Sequence, residues 1–239
     1  LSSGLGGSAT YWAPNVPTLA AHFRVIAYDH RGTGRSDCAL AYTISVEDMA
    51  SDMIALMDAL GIVRAHCIGH ALGGAIGVET AIRTGRIDQL VVINGWRSLS
   101  SHTRRCFAVR LALLLGAGER AFLEAQPLFL YPPDWIAAHD EELTADLEHH
   151  LAAFPGVETM AKRIAAVQAY MPGPAGLATL EKLLVIATRD DFLVPFATAL
   201  DLAQPVAHAR TATFDWGGHA CNVTDPDNFN RVVLAFLRS

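Results

Sequence analysis

The chain is short of the features that tie a protein to nucleic acid, a membrane or a metal. Its 18 Lys and Arg are outnumbered by 24 Asp and Glu, for a net charge of −6. A surface that grips phosphate needs clustered basic side chains, so nucleic acid and anionic membranes are excluded as partners and a small-molecule substrate is expected. No uninterrupted apolar run reaches the roughly 20 residues that cross a bilayer, and no charged leader precedes an apolar stretch, so a cytoplasmic location is expected. The four cysteines, Cys38, Cys67, Cys106 and Cys221, are scattered with no C-x-x-C spacing. That excludes a thiolate zinc site or a redox pair and leaves free thiols; no metal or cofactor is expected. The acidic "HDEELTADLEHH" (139–150) sets histidines among carboxylates, yet reads as a solvated helix face.

What is present is apolar bulk. At 239 residues and 51% hydrophobic content the chain is expected to form one domain, 1–239, with a sizeable core. Short runs rich in Val, Ile and Leu recur at "FRVIAY" (23–28), "AHCIG" (65–69), "QLVVIN" (89–94), "KLLVIAT" (182–188) and "RTATFD" (210–215). All but the last, which alternates, suit strands buried on both faces. Helical periods fill the intervals, as in 46–61 and 72–85, each closed by glycine. Strand and helix in alternation predict an α/β fold with a mostly parallel sheet flanked by helices. The alternation breaks between Asn94 and Lys182, where helical stretches around 101–116, 118–125, 140–153 and 157–169 surround the proline-flanked "QPLFLYPPDW" (126–135). Residues 98–178 are therefore expected as a helical cap inserted between two strands. The opening "LSSGLGG" reads as the last step of a strand running into a glycine loop, so earlier strands are expected to be missing from the start. "DPDNFNRVVLAFLRS" reads as the closing helix.

Chemistry collects just after the apolar runs, where open α/β sheets bind their ligands. "IGHALGGA" (68–75) has the frame of a nucleophile elbow, G-x-S-x-G, with Ala71 in the serine position. The backbone N–H groups of Leu5, in the glycine loop, and Leu72, opening a helix, are expected to form an oxyanion hole. Asp190 and Asp191 follow one run and Gly217-Gly218-His219 the next. Asp191, four residues before Pro195, is the better candidate to orient His219, and Asp190 the second. His70 reads as a packed polar core residue. Cys221 is off the elbow and away from a helix end, which argues against a substitute nucleophile.

The motifs "SGLGG", "YDHRGTGRSD", "GHALGG", "DDFLVP" and "GGHACNV" occur in the order and at the spacing of the α/β-hydrolase superfamily, which the chain resembles over almost its whole length. Within it, "GHALG", "NGW" (94–96), "HTRRCF" (102–107), "EAQPLFLYP" (124–132) and "GGHACNVTDP" (217–226) are similar to a group of carbamate or aminoacrylate hydrolases of bacterial pyrimidine degradation. The resemblance implies that alanine at the elbow is shared in that group, and that the reaction is hydrolysis of carbamate to ammonia and carbon dioxide by a His219–Asp191 site. Hydrolysis of aminoacrylate, a non-catalytic binding role and a cofactor-free oxygenase using the same pair as a base stay open beside it. Asn94, Trp96, Arg104 and Arg105 are the candidate substrate-binding residues, the two arginines for their ability to fork onto a carboxylate. Phe129, Leu130 and Tyr131 either line the pocket or make a subunit contact in a homodimer.

Overall fold

The computed structural model describes residues 1–37, 40 and 43–239; Cys38 lies outside them. Within them, β1 (Ala65–His70), β2 (Ile87–Ile93), β3 (Leu183–Thr188) and β4 (Arg210–Phe214) run parallel in the order β1-β2-β3-β4. Side chains of a strand point alternately to opposite faces. Leu90 and Val92 of β2, with Leu183, Val185 and Ala187 of β3, enter one core with Met49, Leu72 and Ile76. Val91, Ile93, Leu184 and Ile186 enter the other with Trp12, Phe229 and Val233. Apolar groups wait on both sides, so these strands have no polar positions to alternate with, which is why they read as continuous apolar runs. β4 lies at the sheet's end, and of its residues only Phe214 is buried.

The flanking helices start and stop for local reasons. Val46–Ala59 begins with a reciprocal capping box between Ser45 and Asp48. Leu72–Thr84 ends at Gly85, whose φ of 61° is the left-handed conformation a helix terminus favours. Six helices lie between β2 and β3, from Ser101–Glu124 to Pro174–Leu177, including Asp140–Ala152 and Val157–Ala169. The run 126–135 forms two short ones, Gln126–Leu130 and Pro133–Ala138, each with proline in its first turn. The first long helix is broken at Gly118 (φ 87°, ψ −174°). No helix among the described residues is long and apolar enough to cross a membrane.

The expected strand at 23–28 does not form: residues 24–30 have no regular secondary structure. Ser2 is committed to β1 instead, donating to the Ile68 carbonyl at 2.9 Å and accepting from the His70 N–H at 3.0 Å. Among the described residues the main-chain bond between this opening segment and 23–28 is the Leu1 amino group donating to the Ile26 carbonyl at 2.7 Å, beside a side-chain contact of Ser2 Oγ with the Tyr28 hydroxyl at 3.3 Å. One such bond does not make a ladder, whatever the β propensity of "VIAY".

Candidate active site

β1 passes into the helix Leu72–Thr84 through a single residue. Ala71 has φ 49° and ψ −109°, a left-handed conformation that strains any residue with a Cβ by about 1–3 kcal/mol. Its N–H is tied to the Ile93 carbonyl at 2.9 Å. The turn fits because its neighbours are small: a Cβ on Gly73 would fall inside the Ser2 carbonyl. The elbow thus keeps its strained backbone and its close approach to the Leu1–Ser3 segment although the side chain at its apex is a methyl group.

His219 and Asp191 meet at this end of the sheet. The imidazole Nδ1 lies 2.8 Å from Asp191 Oδ2, with both side chains buried. A carboxylate only accepts, so Nδ1 carries the proton and Nε2 of the neutral ring is left as a base. The other Asp191 oxygen accepts the N–H groups of Leu193 at 2.8 Å and Val194 at 2.9 Å, which locks the carboxylate's orientation. Asp190, one residue away, serves the loop instead: it accepts from the Gly217 and Gly218 N–H groups at 3.2 and 2.9 Å. At Gly218, φ 66°, a Cβ would come 2.8 Å from the Leu130 carbonyl, and Ala220 donates to that same carbonyl at 3.0 Å. The histidine loop is therefore seated against the short helix Gln126–Leu130.

His70 touches this pair as well. Its ring stacks on Tyr11 at 5.0 Å and stands 4.6 Å from the His219 ring, and its Nε2 donates to the His219 carbonyl at 3.0 Å. Burial and the adjacent His219 hold its pKa well below the usual histidine value, so it is a neutral packing residue. Asn94, a non-glycine residue at φ 47°, corrects an expectation. Its amide donates to Thr188 Oγ1 and to the carbonyls of Gly218 and His219, and its oxygen accepts from Thr188 N–H at 3.0 Å. Nothing of it remains for a ligand; it braces the histidine loop. Trp96 is buried, and its indole N–H has no hydrogen-bond partner.

The loop around Leu5 is held by the helix Val157–Ala169. Gly7 N–H donates to the Gly4 carbonyl at 3.0 Å, closing a turn around Leu5, and among the described residues neither Leu5 N–H nor Leu72 N–H is engaged by another backbone carbonyl. Arg163, fully buried on the helix Val157–Ala169, donates through Nε and Nη2 to the Leu5 carbonyl at 3.1 and 2.9 Å and through Nη1 to the Arg31 carbonyl at 2.9 Å. Its Nη2 also meets His30 Nδ1 at 3.3 Å. Guanidinium cannot accept, so that nitrogen is bare, and His30 donates through Nε2 to Ser2 Oγ at 3.1 Å. Burial, and then the Arg163 charge, keep His30 neutral with its pKa well below the ordinary value. Burial lowers Arg163 to about 10, which leaves it charged at neutral pH.

Arg104 and Arg105 do not reach the site: both are exposed on the outer face of Ser101–Glu124. The inner face of that helix carries Thr103, Cys106, Phe107, Arg110 and Leu114, all buried. Arg110 and Arg163 were legible as a helical period, since each interrupts an apolar stripe: Cys106-Phe107-Arg110-Leu114 and Met160-Arg163-Ile164-Val167. Cys221 is fully buried, and burial pushes its thiol up to about 12, which keeps it protonated. Phe129 is buried toward the interior rather than displayed. Among the described residues no three His, Cys, Asp or Glu side chains come together as a metal site.

The family model of the alpha/beta hydrolase fold matches residues 1–132. Among solved structures, the enol-lactonase from Burkholderia xenovorans LB400 superposes with a TM-score of 0.87 at 28% identity, covering 100% of this chain and 90% of its own. The RutD protein of Pseudomonas savastanoi pv. phaseolicola (strain 1448A / Race 6), provisionally named a carbamate hydrolase, is 46% identical over 241 residues, which span 100% of this chain and 93% of the relative. The RutD protein of Pantoea ananatis (strain LMG 20103), with the same provisional name, is 44% identical over 100% of this chain and 87% of its own length. A parallel sheet, an elbow in its strained turn and full-length similarity at this level agree: the chain belongs to the RutD family of α/β-hydrolases.

Proposed function

We propose that this protein hydrolyses carbamate, a product of uracil ring opening, to ammonia and carbon dioxide without a covalent intermediate. The observation that carries the reading is a buried, oriented His219–Asp191 pair beside an elbow whose apex is Ala71. A methyl group cannot attack a carbonyl, so acyl transfer through position 71 is excluded. The rest of a hydrolase site retains value without its serine: roughly 10³–10⁴-fold acceleration survives such a loss through binding and oxyanion stabilisation.

The chemistry needed is modest. Carbamate breaks when its nitrogen is protonated, the C–N bonding pair leaves with ammonia, and carbon dioxide is released. His219 first takes up a proton from solvent at Nε2, and the imidazolium beside Asp191 passes it, through a water in the space a serine oxygen would fill, to the carbamate nitrogen, which returns the ring to its neutral form. The N–H groups of Leu5 and Leu72, the latter at a helix N-terminus, hold one carboxylate oxygen. Asp191 keeps the ring in the required tautomer, and its two backbone N–H bonds prevent it from turning away.

The decay of freshly generated carbamate at neutral pH, followed by continuous ammonia release, tests this with no protein, with the native chain and with His219→Ala. Acceleration proportional to native protein and absent from the variant is expected. Three coincident traces would remove carbamate turnover.

A further inference from the structure

The inner face of the helix Ser101–Glu124 holds a cation with too few partners. Arg110 is only 3% exposed, and its hydrogen bond among the described residues runs from Nη2 to Gln126 Oε1 at 2.6 Å. Its Nε is buried and has no hydrogen-bond partner among the described residues. Its guanidinium carbon lies 5.2, 5.4 and 5.5 Å from the ring centroids of Phe107, Phe122 and Phe129. Aromatic faces stabilise a cation but do not accept its N–H groups in the plane of the fork, so the donor edge is left unsatisfied. A buried charge of this kind is costly unless an anion meets it.

The position of this cation relates it to the site. Its hydrogen-bond partner Gln126 and its neighbour Phe129 belong to the same short helix whose Leu130 carbonyl seats Ala220, the residue after His219. Phe129 also packs on Phe192, the residue after Asp191, at 6.1 Å between centroids. Cys106, one turn before Arg110 on the same face, has its thiol within 4.0 Å of the Phe192 carbonyl. One side of the arginine's cage is thus continuous with the two loops that carry Asp191 and His219.

We infer that Arg110 is a carboxylate-binding residue of this site, and that its vacant Nε edge receives the anionic end of a small substrate. The inference rests on the proposed hydrolysis for the substrate's identity, but not for the binding itself. It selects small carboxylates over neutral esters and amides, and assigns to Arg110 the part that Arg104 and Arg105, on the outer face, do not play.

Acetate is the probe, being carbamate with a methyl group in place of the amino group. The thermal midpoints of the native protein, Arg110→Met and Gln126→Glu are measured against sodium acetate, with sodium chloride at equal ionic strength as the control. Acetate should raise the native midpoint beyond chloride, and both variants should lose that response, corresponding to roughly tenfold to a hundredfold weaker binding for one charge-assisted contact. Arg110→Met removes the cation, whereas Gln126→Glu satisfies it internally with a resident carboxylate. The second variant therefore decides the matter if the first does not fold. No acetate response in the native protein, or an equal response in a folded variant, overturns the inference. Because no turnover is read, an absence of carbamate hydrolysis leaves this result standing, and the two ideas fail separately.

Discussion

The floor of the site and its roof are built on opposite principles. On the floor, the loops after β2, β3 and β4 are tied to one another by hydrogen bonds: Asp191 accepts three, Asp190 two, and Asn94 donates and accepts around the histidine loop. In the roof, two buried arginines differ sharply. Arg163 engages the Leu5 and Arg31 carbonyls and His30 through all three of its nitrogens, whereas Arg110 stands in an aromatic cage with Nε unused among the described residues. A saturated network rigidifies, while an unsatisfied one is either a defect or a place prepared for a ligand. The contrast assigns positioning to the floor and to Arg163, and recognition to Arg110.

The largest effect expected is on the floor. His219→Ala should cost about 10²–10⁴-fold in carbamate turnover, the usual range for a general acid or base, with an unchanged unfolding midpoint. A stable variant with full turnover would place the chemistry elsewhere. Next comes Arg163→Met, which orphans the Leu5 and Arg31 carbonyls; each buried acceptor left unpaired costs about 1–3 kcal/mol, so urea unfolding should show a loss of several kcal/mol. Arg110→Met should show the reverse sign, neutral or stabilising, because an apolar chain replaces an unmatched charge. If both arginine variants lost stability equally, the contrast between them would collapse.

A smaller effect follows from pH. His30 and His70 are held neutral, with folded pKa values below the ordinary value near 6.5, so the unfolded chain takes up protons that the folded chain refuses. Their contribution is therefore complete above about pH 6.5 and is lost as pH falls from there toward the folded values. The loss has a slope of about 1.4 kcal/mol per pH unit for each histidine. Urea unfolding at pH 7.5, 6.5 and 5.5 reads that slope, and His30→Gln should roughly halve it. At the bottom of the scale, Arg104→Ala and Arg105→Ala should change stability by less than about 0.5 kcal/mol and leave the acetate response intact. A lost response in either would move the anion site to the outer face.

Much of this was legible before any coordinates. The runs at 65–69, 89–94, 182–188 and 210–215 correspond to β1 through β4: β2 and β3 carry continuous apolar runs because they are buried on both faces, and β4, at the sheet's end, alternates. The helices at 46–61 and 72–85 announced their ends by glycine, and the elbow was visible through its spacing of small residues. What misled was local propensity: "FRVIAY" has the composition of a strand but, among the described residues, shares one main-chain hydrogen bond with Leu1–Ser3. Arg104 and Arg105 drew attention as a pair in a motif, although a helical period places them outside and Arg110 inside.

By itself the sequence determined the order of the elements and the alanine at the elbow's apex, since these depend on residue type and short spacing, and it favoured Asp191 as the partner of His219 through their order after successive strands. Only the tertiary structure decided that Asn94 is consumed in bracing and which arginines are buried. Those outcomes depend on contacts between residues as far apart as Leu5 and Arg163 or Asn94 and His219. Hydrogen-bond geometry and burial are set where distant segments converge, and no local spacing records them.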